Sequence, residues 1–235
     1  MNVLLFSDAD RVDADHIRIT DERLAQLRGV PGARVGSTLR VGEVDGLLGT
    51  GILETLEDDA ATLSVTLDQQ PPEKLPATLI LALPRPKMLR RILRSVAEFG
   101  IAELHLVNSY RVQKSYWQTP VLQEQTVRRY LLEGLAQGVD TVLPRVQQHP
   151  LFRPFVEDAL PAIVAGRRAL VAHPSAQAPC PRELPGDTVL VVGPEGGFTD
   201  YELGRLTETG CQAVELGPRI LRVENAVSRL LGKLI

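Results

Sequence analysis

The sequence contains few of the residues that mark several common classes of protein. Its 235 residues include only two cysteines, Cys180 and Cys211, and neither lies in a C-x-x-C pair. Two isolated cysteines argue against a disulfide scaffold and suit a reducing compartment. No apolar run approaches about 18 residues, the length that a membrane-spanning helix needs. The N-terminus also lacks the basic region of a signal peptide. We therefore expect a cytoplasmic protein that does not enter a membrane.

Motifs of several enzyme classes are absent as well. The four histidines, His16, His105, His149 and His173, are scattered and form no H-E-x-x-H pattern, so we expect no metal site. Neither a G-x-S-x-G elbow nor a Walker sequence occurs. Because His105 lies within an apolar segment, the pattern predicts a histidine of the core.

What the sequence does have is a change of pattern near residue 70. Residues 1–70 contain short candidate strands punctuated by glycines, which predicts a small β-rich domain. The proline-rich segment 71–76 predicts a linker. In residues 77–235, apolar strands alternate with helices, which predicts an α/β domain whose mostly parallel sheet is covered on both faces.

Charge is divided unevenly between the two parts. Residues 1–75 carry 7 Lys and Arg against 14 Asp and Glu, a net charge of −7, whereas residues 76–235 carry 19 against 15, a net charge of +4. If the protein binds a polyanion, the second part offers the electrostatically favoured surface.

The segment 193–198, with the sequence GPEGGF, is the most informative part of the chain. A buried strand is predicted just before it at 188–192, and its adjacent glycines can adopt positive φ. Thr199 and Glu202 then have the spacing of a capping box that starts a helix. Strand, glycine turn and capped helix form the local geometry of a ligand-binding loop in a parallel sheet. On geometry alone, an ordinary strand-to-helix connection is an equal alternative.

The charges of this segment restrict the ligand. Glu195, Asp200 and Glu202 surround the predicted helix N-terminus, a position that otherwise favours anions. Three carboxylates there disfavour a pyrophosphate and favour a neutral or cationic ligand, and the sulfonium and ammonium of S-adenosylmethionine fit this description.

Four basic residues share one face of the helix predicted after Pro86. They are Lys87, Arg90, Arg91 and Arg94. Such a face could contact the phosphate backbone of a nucleic acid, and a solvated helix face is the equal alternative.

The loop 108–117 interleaves Trp117 and two tyrosines with Arg111 and Lys114. Stacking rings beside cations are the composition of a surface that binds single-stranded RNA. The alternative is a loop whose aromatic side chains fold back onto the core. We slightly favour this alternative, because one such loop is weak evidence for RNA binding.

The segments 193–198 and 216–226 (LGPRILRVENA) together strongly resemble the paired signature of the ribosomal RNA small subunit methyltransferase E family, in the SPOUT superfamily. The resemblance covers the whole chain. It implies a SPOUT-type parallel sheet with a C-terminal trefoil knot, preceded by a small PUA-like β-barrel domain that binds RNA. It also implies a homodimer that uses S-adenosylmethionine to methylate N3 of a uridine in 16S rRNA of the small ribosomal subunit.

By this resemblance, the cofactor contacts are backbone groups of Gly193, Glu195, Gly196, Leu216, Gly217, Ile220 and Leu221. Methylation of uridine N3 needs a base and a group that stabilises negative charge. Arg222 is the candidate for charge stabilisation, and Glu224 and Glu195 are candidates for the base, although either could instead orient a loop. The family usually has a threonine at the position of Asn225.

Two other functions stay open at this stage. One is a SPOUT methyltransferase that acts on tRNA or on another rRNA base. The other is a non-catalytic RNA-binding or ribosome-assembly protein of the same fold.

Overall fold

The computed structural model describes residues 2–183 and 187–233, and the chain forms two compact units. The first comprises Met1–Glu73 and Leu131–Leu143, and the second comprises Lys74–Tyr130 and Pro144–Ile235. Among the helices of these described residues, none is long and apolar enough to cross a membrane.

The first unit is built on a five-stranded sheet. Its elements are β1 (Leu4–Phe6), β2 (His16–Ile19), α1 (Glu22–Arg28), β3 (Thr38–Glu43), β4 (Leu48–Leu56) and β5 (Ala61–Gln69), with a short 3₁₀ helix at Asp8–Asp10. The strand order is β1-β3-β4-β5-β2, with β1 parallel to β3 and the other pairs antiparallel. Apolar side chains of the strands pack against Leu24 and Leu27 of α1 to form the core.

Residues 131–143 join this unit through contacts at the turn between β3 and β4. The N–H of Asp45 donates to the carbonyl oxygen of Thr141 at 2.9 Å, and the N–H of Leu143 donates to the Asp45 carboxylate at 2.8 Å. Because these partners lie almost one hundred residues apart, the sequence pattern did not predict their association.

The second unit contains a six-stranded sheet that is parallel throughout, as predicted. Its strands are β6 (Leu75–Ala82), β7 (Ile101–Val107), β8 (Arg145–His149), β9 (Arg168–Ala172), β10 (Thr188–Val192) and β11 (Gln212–Val214). They lie in the order β11-β9-β10-β6-β7-β8. Since β6 begins at Leu75, it includes the last two residues of the predicted linker.

Helices follow most of these strands, as the alternating pattern predicts. They are α2 (Pro86–Glu98), α3 (Glu124–Gly138), α4 (Phe152–Pro154), α5 (Leu160–Val164), α6 (Asp200–Glu208) and α7 (Val223–Leu231). Short 3₁₀ helices occupy Lys114–Gln118 and Pro120–Leu122, and a π-helical turn occupies Phe155–Ala159.

The register of the central strands determines where the connecting loops meet. Strand β10 is buried along its whole length between β9 and β6, which explains its uninterrupted apolar sequence. Its last residue, Val192, pairs with Ala172 of β9 and Leu81 of β6, and Ala172 also pairs with Val214 of β11. Four strands therefore end at the same level, and the loops that follow them share one edge of the sheet.

One glycine of the first sheet has no room for a side chain. A Cβ atom added at Gly49 would overlap the carbonyl oxygen of Thr66 on the neighbouring strand. We predict that Gly49→Ala lowers the free energy of unfolding by about 1–3 kcal/mol, as overpacking does, and urea denaturation would measure the change. As a control, Gly204→Ala in α6 meets no atom within 4 Å and should be neutral or stabilising by about 1 kcal/mol. Equal urea midpoints for Gly49→Ala and the unmodified chain would contradict the strand pairing.

Candidate functional site

A cavity of about 810 Å³ opens at the shared carboxyl edge of the parallel sheet. It is lined by the turn after β10, by residues 215–224, by the end of β9 and by the start of α2. We call it the glycine-turn cavity. Its volume lies within the range of about 300–1,000 Å³ that is usual for sites of small ligands. The two segments that resembled a paired signature thus line a single cavity.

The turn after β10 depends on its glycines. Gly197 adopts a φ of +71°, and its N–H donates to the carbonyl oxygen of Pro194 at 2.8 Å. At Gly193, a Cβ atom would lie 3.2 Å from the ring of Phe198, which is itself only 2% exposed. The turn is therefore folded tightly against a buried ring, and its backbone forms part of the cavity wall.

The helix after this turn starts with the predicted capping box. The N–H of Thr199 donates to the Glu202 carboxylate at 2.8 Å, and the N–H of Glu202 donates to the Thr199 hydroxyl at 3.3 Å. Glu202 is 3% exposed, and its other carboxylate oxygen accepts the N–H of Tyr110 at 2.7 Å. A single buried carboxylate thereby joins the start of α6 to the loop 108–117.

The opposite wall of the cavity is the loop between β11 and α7. Gly217 adopts a φ of +105°, and its N–H donates to the carboxylate of Glu215. The guanidinium of Arg229 from α7 lies beside Gly217, where an added Cβ atom would be 3.4 Å from it. These contacts fold the loop back over its own helix and direct residues 218–222 along the cavity.

The glycine-turn cavity carries charges of both signs. Three carboxylates line it, those of Glu195, Glu215 and Glu224. The cations that line it are Arg85, Lys87, Arg219 and Arg222. The remaining lining consists largely of backbone and apolar side chains, so the site suits a small ligand that carries charges of both signs and an apolar portion.

Two of the three predicted catalytic side chains lie at the cavity wall without an ion pair to any described residue. Arg222 is exposed at the N-cap of α7, and Glu224 is half-buried in the first turn of that helix. Both side chains therefore line the same cavity.

Glu195, the third predicted catalytic residue, is bound to the start of α2. Its carboxylate accepts the N–H of Arg85 at 3.0 Å and lies 3.9 Å from the Arg85 guanidinium. This contact links the glycine turn to the loop that precedes α2.

Six of the seven residues predicted to contact a cofactor line the cavity. They are Gly193, Glu195, Leu216, Gly217, Ile220 and Leu221. Gly196 is outside the lining, and its carbonyl oxygen accepts a hydrogen bond from the guanidinium of Arg111. Ile220 is 86% exposed, so much of this residue faces solvent.

Comparisons with known proteins agree with this geometry. A family model described as an RNA methyltransferase domain matches residues 71–234. The chain belongs to the RNA methyltransferase family. Two relatives are named ribosomal RNA small subunit methyltransferase E. That of Treponema pallidum is 27% identical over 96% of this chain and 87% of its own length, and that of Synechocystis is 29% identical over 93% and 72%.

Solved structures share the fold of this RNA methyltransferase. A ribosomal RNA small subunit methyltransferase E from Neisseria gonorrhoeae, bound to S-adenosylmethionine, superimposes with a TM-score of 0.75 at 21% identity and covers 98% of this chain and 95% of its own. A protein of Legionella pneumophila in complex with the same cofactor has a TM-score of 0.76 at 20% identity and covers 99% and 96%.

The basic residues predicted to bind RNA occupy different environments in this methyltransferase. Lys87 lines the glycine-turn cavity, and Arg90 and Arg91 are exposed on α2. Arg94 is half-buried, with its guanidinium 4.6 Å from the ring centre of Tyr130. The face predicted as uniform therefore includes one arginine that is packed against an aromatic ring.

The two predicted RNA-binding residues of the loop 108–117 also differ. The guanidinium of Arg111 is bonded to Gly196, so this side chain holds the glycine turn. Lys114 is exposed at the edge of a second cavity.

His173 and Glu215 also line the glycine-turn cavity, although no motif in the sequence had marked them as site residues. His173 follows β9 directly, and Glu215 follows β11 directly. Their positions just after predicted parallel strands were the signal that could have identified them, since such positions meet at one edge of the sheet.

His105 is a core histidine, as predicted, with 2% of its surface exposed. Its Nδ1 lies 3.0 Å from Nε2 of His149, and burial lowers the pKa of both imidazoles. The two rings also stack on each other beside Phe155.

The buried carboxylate of Glu202 provides a test of how the site is held together. Glu202→Gln replaces one acceptor oxygen with an amide N–H₂ that faces a backbone donor, so we predict a loss of about 1–3 kcal/mol in the free energy of unfolding. Hydrogen exchange should rise in the peptides that contain Tyr110 and Thr199. The control is Glu208→Gln on the same helix, which removes an exposed ion pair with Arg205 and should change stability by less than about 1 kcal/mol. Identical exchange in both variants would show that Glu202 does not join the two loops.

Proposed function

We propose that the chain uses S-adenosylmethionine to methylate N3 of a uridine in 16S rRNA of the small ribosomal subunit. The observation that carries the proposal is the meeting of the glycine turn and the loop 216–222 around one cavity, with Arg222 and Glu224 at its wall. The family and the names of the relatives support an RNA substrate. An rRNA substrate implies a cytoplasmic location.

The glycine-turn cavity fits S-adenosylmethionine by its chemistry. The tightly folded backbone at Gly193 and Gly217 leaves main-chain groups in the wall, and leucines and prolines supply apolar contact. Carboxylates at the wall suit a ligand with a sulfonium and an ammonium. When bound, this cofactor supplies an electrophilic methyl group. The residues that would hold it are Gly193, Glu195, Leu216, Gly217, Ile220 and Leu221, with Gly196 fixed behind them by Arg111.

Uridine N3 carries a proton and becomes a good nucleophile only when that proton leaves. Glu224 is the candidate base, because its half-buried carboxylate lines the cavity and pairs with no described cation. As the proton leaves, negative charge spreads to O2 and O4 of the base. Arg222 at the start of the same helix is the candidate for stabilising it, helped by the positive end of the helix dipole.

We assign Glu195 to positioning. Its carboxylate is already bound to the N–H of Arg85, and this bond fixes the glycine turn relative to α2. A base that is engaged in this way is less available to take a proton than Glu224.

We further infer the finer features of the family fold. The domains would be a PUA-like β-barrel domain over residues 1–70, a linker at 71–76 and a SPOUT methyltransferase domain over 77–235. The path of the chain supports a trefoil knot in the methyltransferase domain. Strand β11 lies at the edge of the sheet, yet the following helix α7 packs against the inner strand β10 and against α2. The homodimer is inferred from the family resemblance.

Two substitutions test the catalytic assignments in methyl transfer to purified small subunits. With saturating cofactor, we predict that Glu224→Gln lowers kcat by about 10²–10⁴-fold and that Arg222→Ala lowers it by about 10²–10³-fold. Higher pH should restore part of the activity of Glu224→Gln, because hydroxide can then remove the N3 proton. Mass spectrometry of the product RNA would locate the methyl group.

The matched control for these variants is Asn225→Thr. Asn225 is exposed beside Glu224 but lies outside the cavity lining, so the kcat of the Asn225→Thr variant should equal that of the unmodified chain. If kcat barely falls in the two catalytic variants, the assignments are wrong. A methyl group found only on tRNA or on another rRNA base would favour a different SPOUT activity. Absence of cofactor binding in calorimetry would favour a non-catalytic RNA-binding protein.

The two environments on α2 lead to a separate prediction for RNA affinity. Arg91→Gln should weaken binding similarly for all RNA sequences and lower the slope of log affinity against log salt by about 0.7, as expected for one phosphate contact to a single strand. Arg94→Gln should leave the slope unchanged and instead lower stability, since this guanidinium packs on Tyr130. Filter binding at several salt concentrations would measure the slopes, and equal slopes for all three proteins would exclude Arg91 from the interface.

A further inference from the structure

A second cavity, of about 660 Å³, lies next to the loop 108–117. Four aromatic residues line it: Tyr110 and Trp117 from this loop, Phe152 of α4 and Tyr201 of α6. We call it the aromatic cavity. It is separate from the glycine-turn cavity, and the reaction proposed above uses none of its residues.

Two of these aromatic residues are largely exposed to solvent. Tyr110 is 85% exposed and Tyr201 is 62% exposed, although the chain contains only four tyrosines. Large aromatic side chains usually bury most of their surface, and exposed rings grouped around a concave site mark a place where a flat ligand stacks. Trp117 is fixed in orientation, since its indole N–H donates to the Asn108 side-chain oxygen at 2.9 Å.

A buried hydroxyl in the same cavity has no partner. Ser109 is 3% exposed and lines the aromatic cavity, and its Oγ forms no hydrogen bond with any described residue. A buried polar group without a partner is uncommon, because it gives up its bonds to water. With the amide of Asn108, it offers hydrogen-bonding groups for the edge of a ligand whose face lies on the rings.

The charges of the aromatic cavity that stay available to a ligand are positive. The carboxylate of Glu202 also lines the cavity, but both of its oxygens already accept backbone N–H groups. Lys114 is exposed at its edge, and within residues 2–183 and 187–233 it forms no ion pair. Arg153 also lines the cavity, where it is partly neutralised by Glu157 at 2.9 Å. Stacking rings, hydrogen-bonding groups for a base edge and a free cation are together the features of a site for an unpaired nucleotide.

The aromatic cavity is physically connected to the glycine turn. Thr199 and Glu202 line it and directly follow that turn in the chain. On the other side, Arg111 lies between two lining residues of the aromatic cavity and donates to the Gly196 carbonyl. One continuous segment, 193–202, therefore contributes to both cavities.

We propose that the aromatic cavity binds an unpaired RNA nucleotide that neighbours the nucleotide to be methylated. The base stacks on Tyr110 and Tyr201, Ser109 contacts its edge, and Lys114 contacts an adjoining phosphate. This proposal rests on the proposed function, since it takes the substrate of the glycine-turn cavity to be RNA. It adds a specificity site that reads the flanking sequence.

The test uses the full chain and a short unpaired RNA that carries the fluorescent base 2-aminopurine, whose emission falls when it stacks. Tyr110→Ala and Tyr201→Ala should each weaken binding by about 5- to 150-fold and abolish the quenching of the stacked base. Ser109→Ala should change which bases are preferred at that position. Its overall affinity for RNA should stay within a few fold of that of the unmodified chain. The matched control is Tyr116→Ala, from the same loop but outside the cavity lining, which should bind and quench like the unmodified chain.

The outcomes separate this inference from the proposed function. Unchanged RNA affinity and quenching in both tyrosine variants would overturn the nucleotide site, even where methyl transfer to small subunits is intact. A changed oligomeric state in sedimentation, with unchanged RNA affinity, would overturn it in favour of an interface between copies. Calorimetry with S-adenosylmethionine tests the first cavity alone, and its failure beside intact, Tyr110-dependent quenching would count against the proposed function and for the nucleotide site.

Discussion

The buried carboxylate of Glu202 is the contact on which the rest of the site depends. It caps α6 through Thr199 and accepts the N–H of Tyr110, so it connects the segment after β10 with the loop after β7. A buried carboxylate is stable only when such donors surround it, because burial removes its hydration. The Glu202 carboxylate in turn holds the donating N–H groups of Tyr110 and Thr199 in place. The glycine turn, the capped helix and the aromatic loop are thus fixed as one rigid group.

Local signals in the sequence were sufficient to predict much of this group. The apolar run at 188–192 became the central strand β10, and the Thr199–Glu202 spacing became a capping box. Both depend on residues within a few positions of each other, and a strand that is buried on both faces of its sheet needs a continuous apolar sequence. Hydrophobic periodicity also reveals that strands alternate with helices, and this alternation predicts a parallel sheet.

Contacts between distant parts of the chain could not be predicted in the same way. Nothing in the sequence distinguishes Arg111 from Lys114, two cations of one loop. In the structure Arg111 donates a hydrogen bond to the carbonyl oxygen of Gly196, whereas Lys114 is exposed. Arg94 belongs by helical spacing to an exposed face, but its neighbour Tyr130 on α3 covers it. In each case the partner lies many residues away, and composition and periodicity contain no information about which distant side chain arrives.

The distribution of charge then explains how one unit can handle a cationic cofactor and an anionic substrate. Three carboxylates and four cations line the glycine-turn cavity, and further exposed cations lie on α2 and at the edge of the aromatic cavity. Charges separated by more than about 8 Å in water are largely screened at physiological salt, so each ligand responds mainly to the groups nearest it. A cofactor in the glycine-turn cavity therefore responds mainly to the three carboxylates and four cations of its wall, whereas the net charge of +4 on residues 76–235 favours a polyanion at longer range. Residues 1–75, with a net charge of −7, add no such attraction.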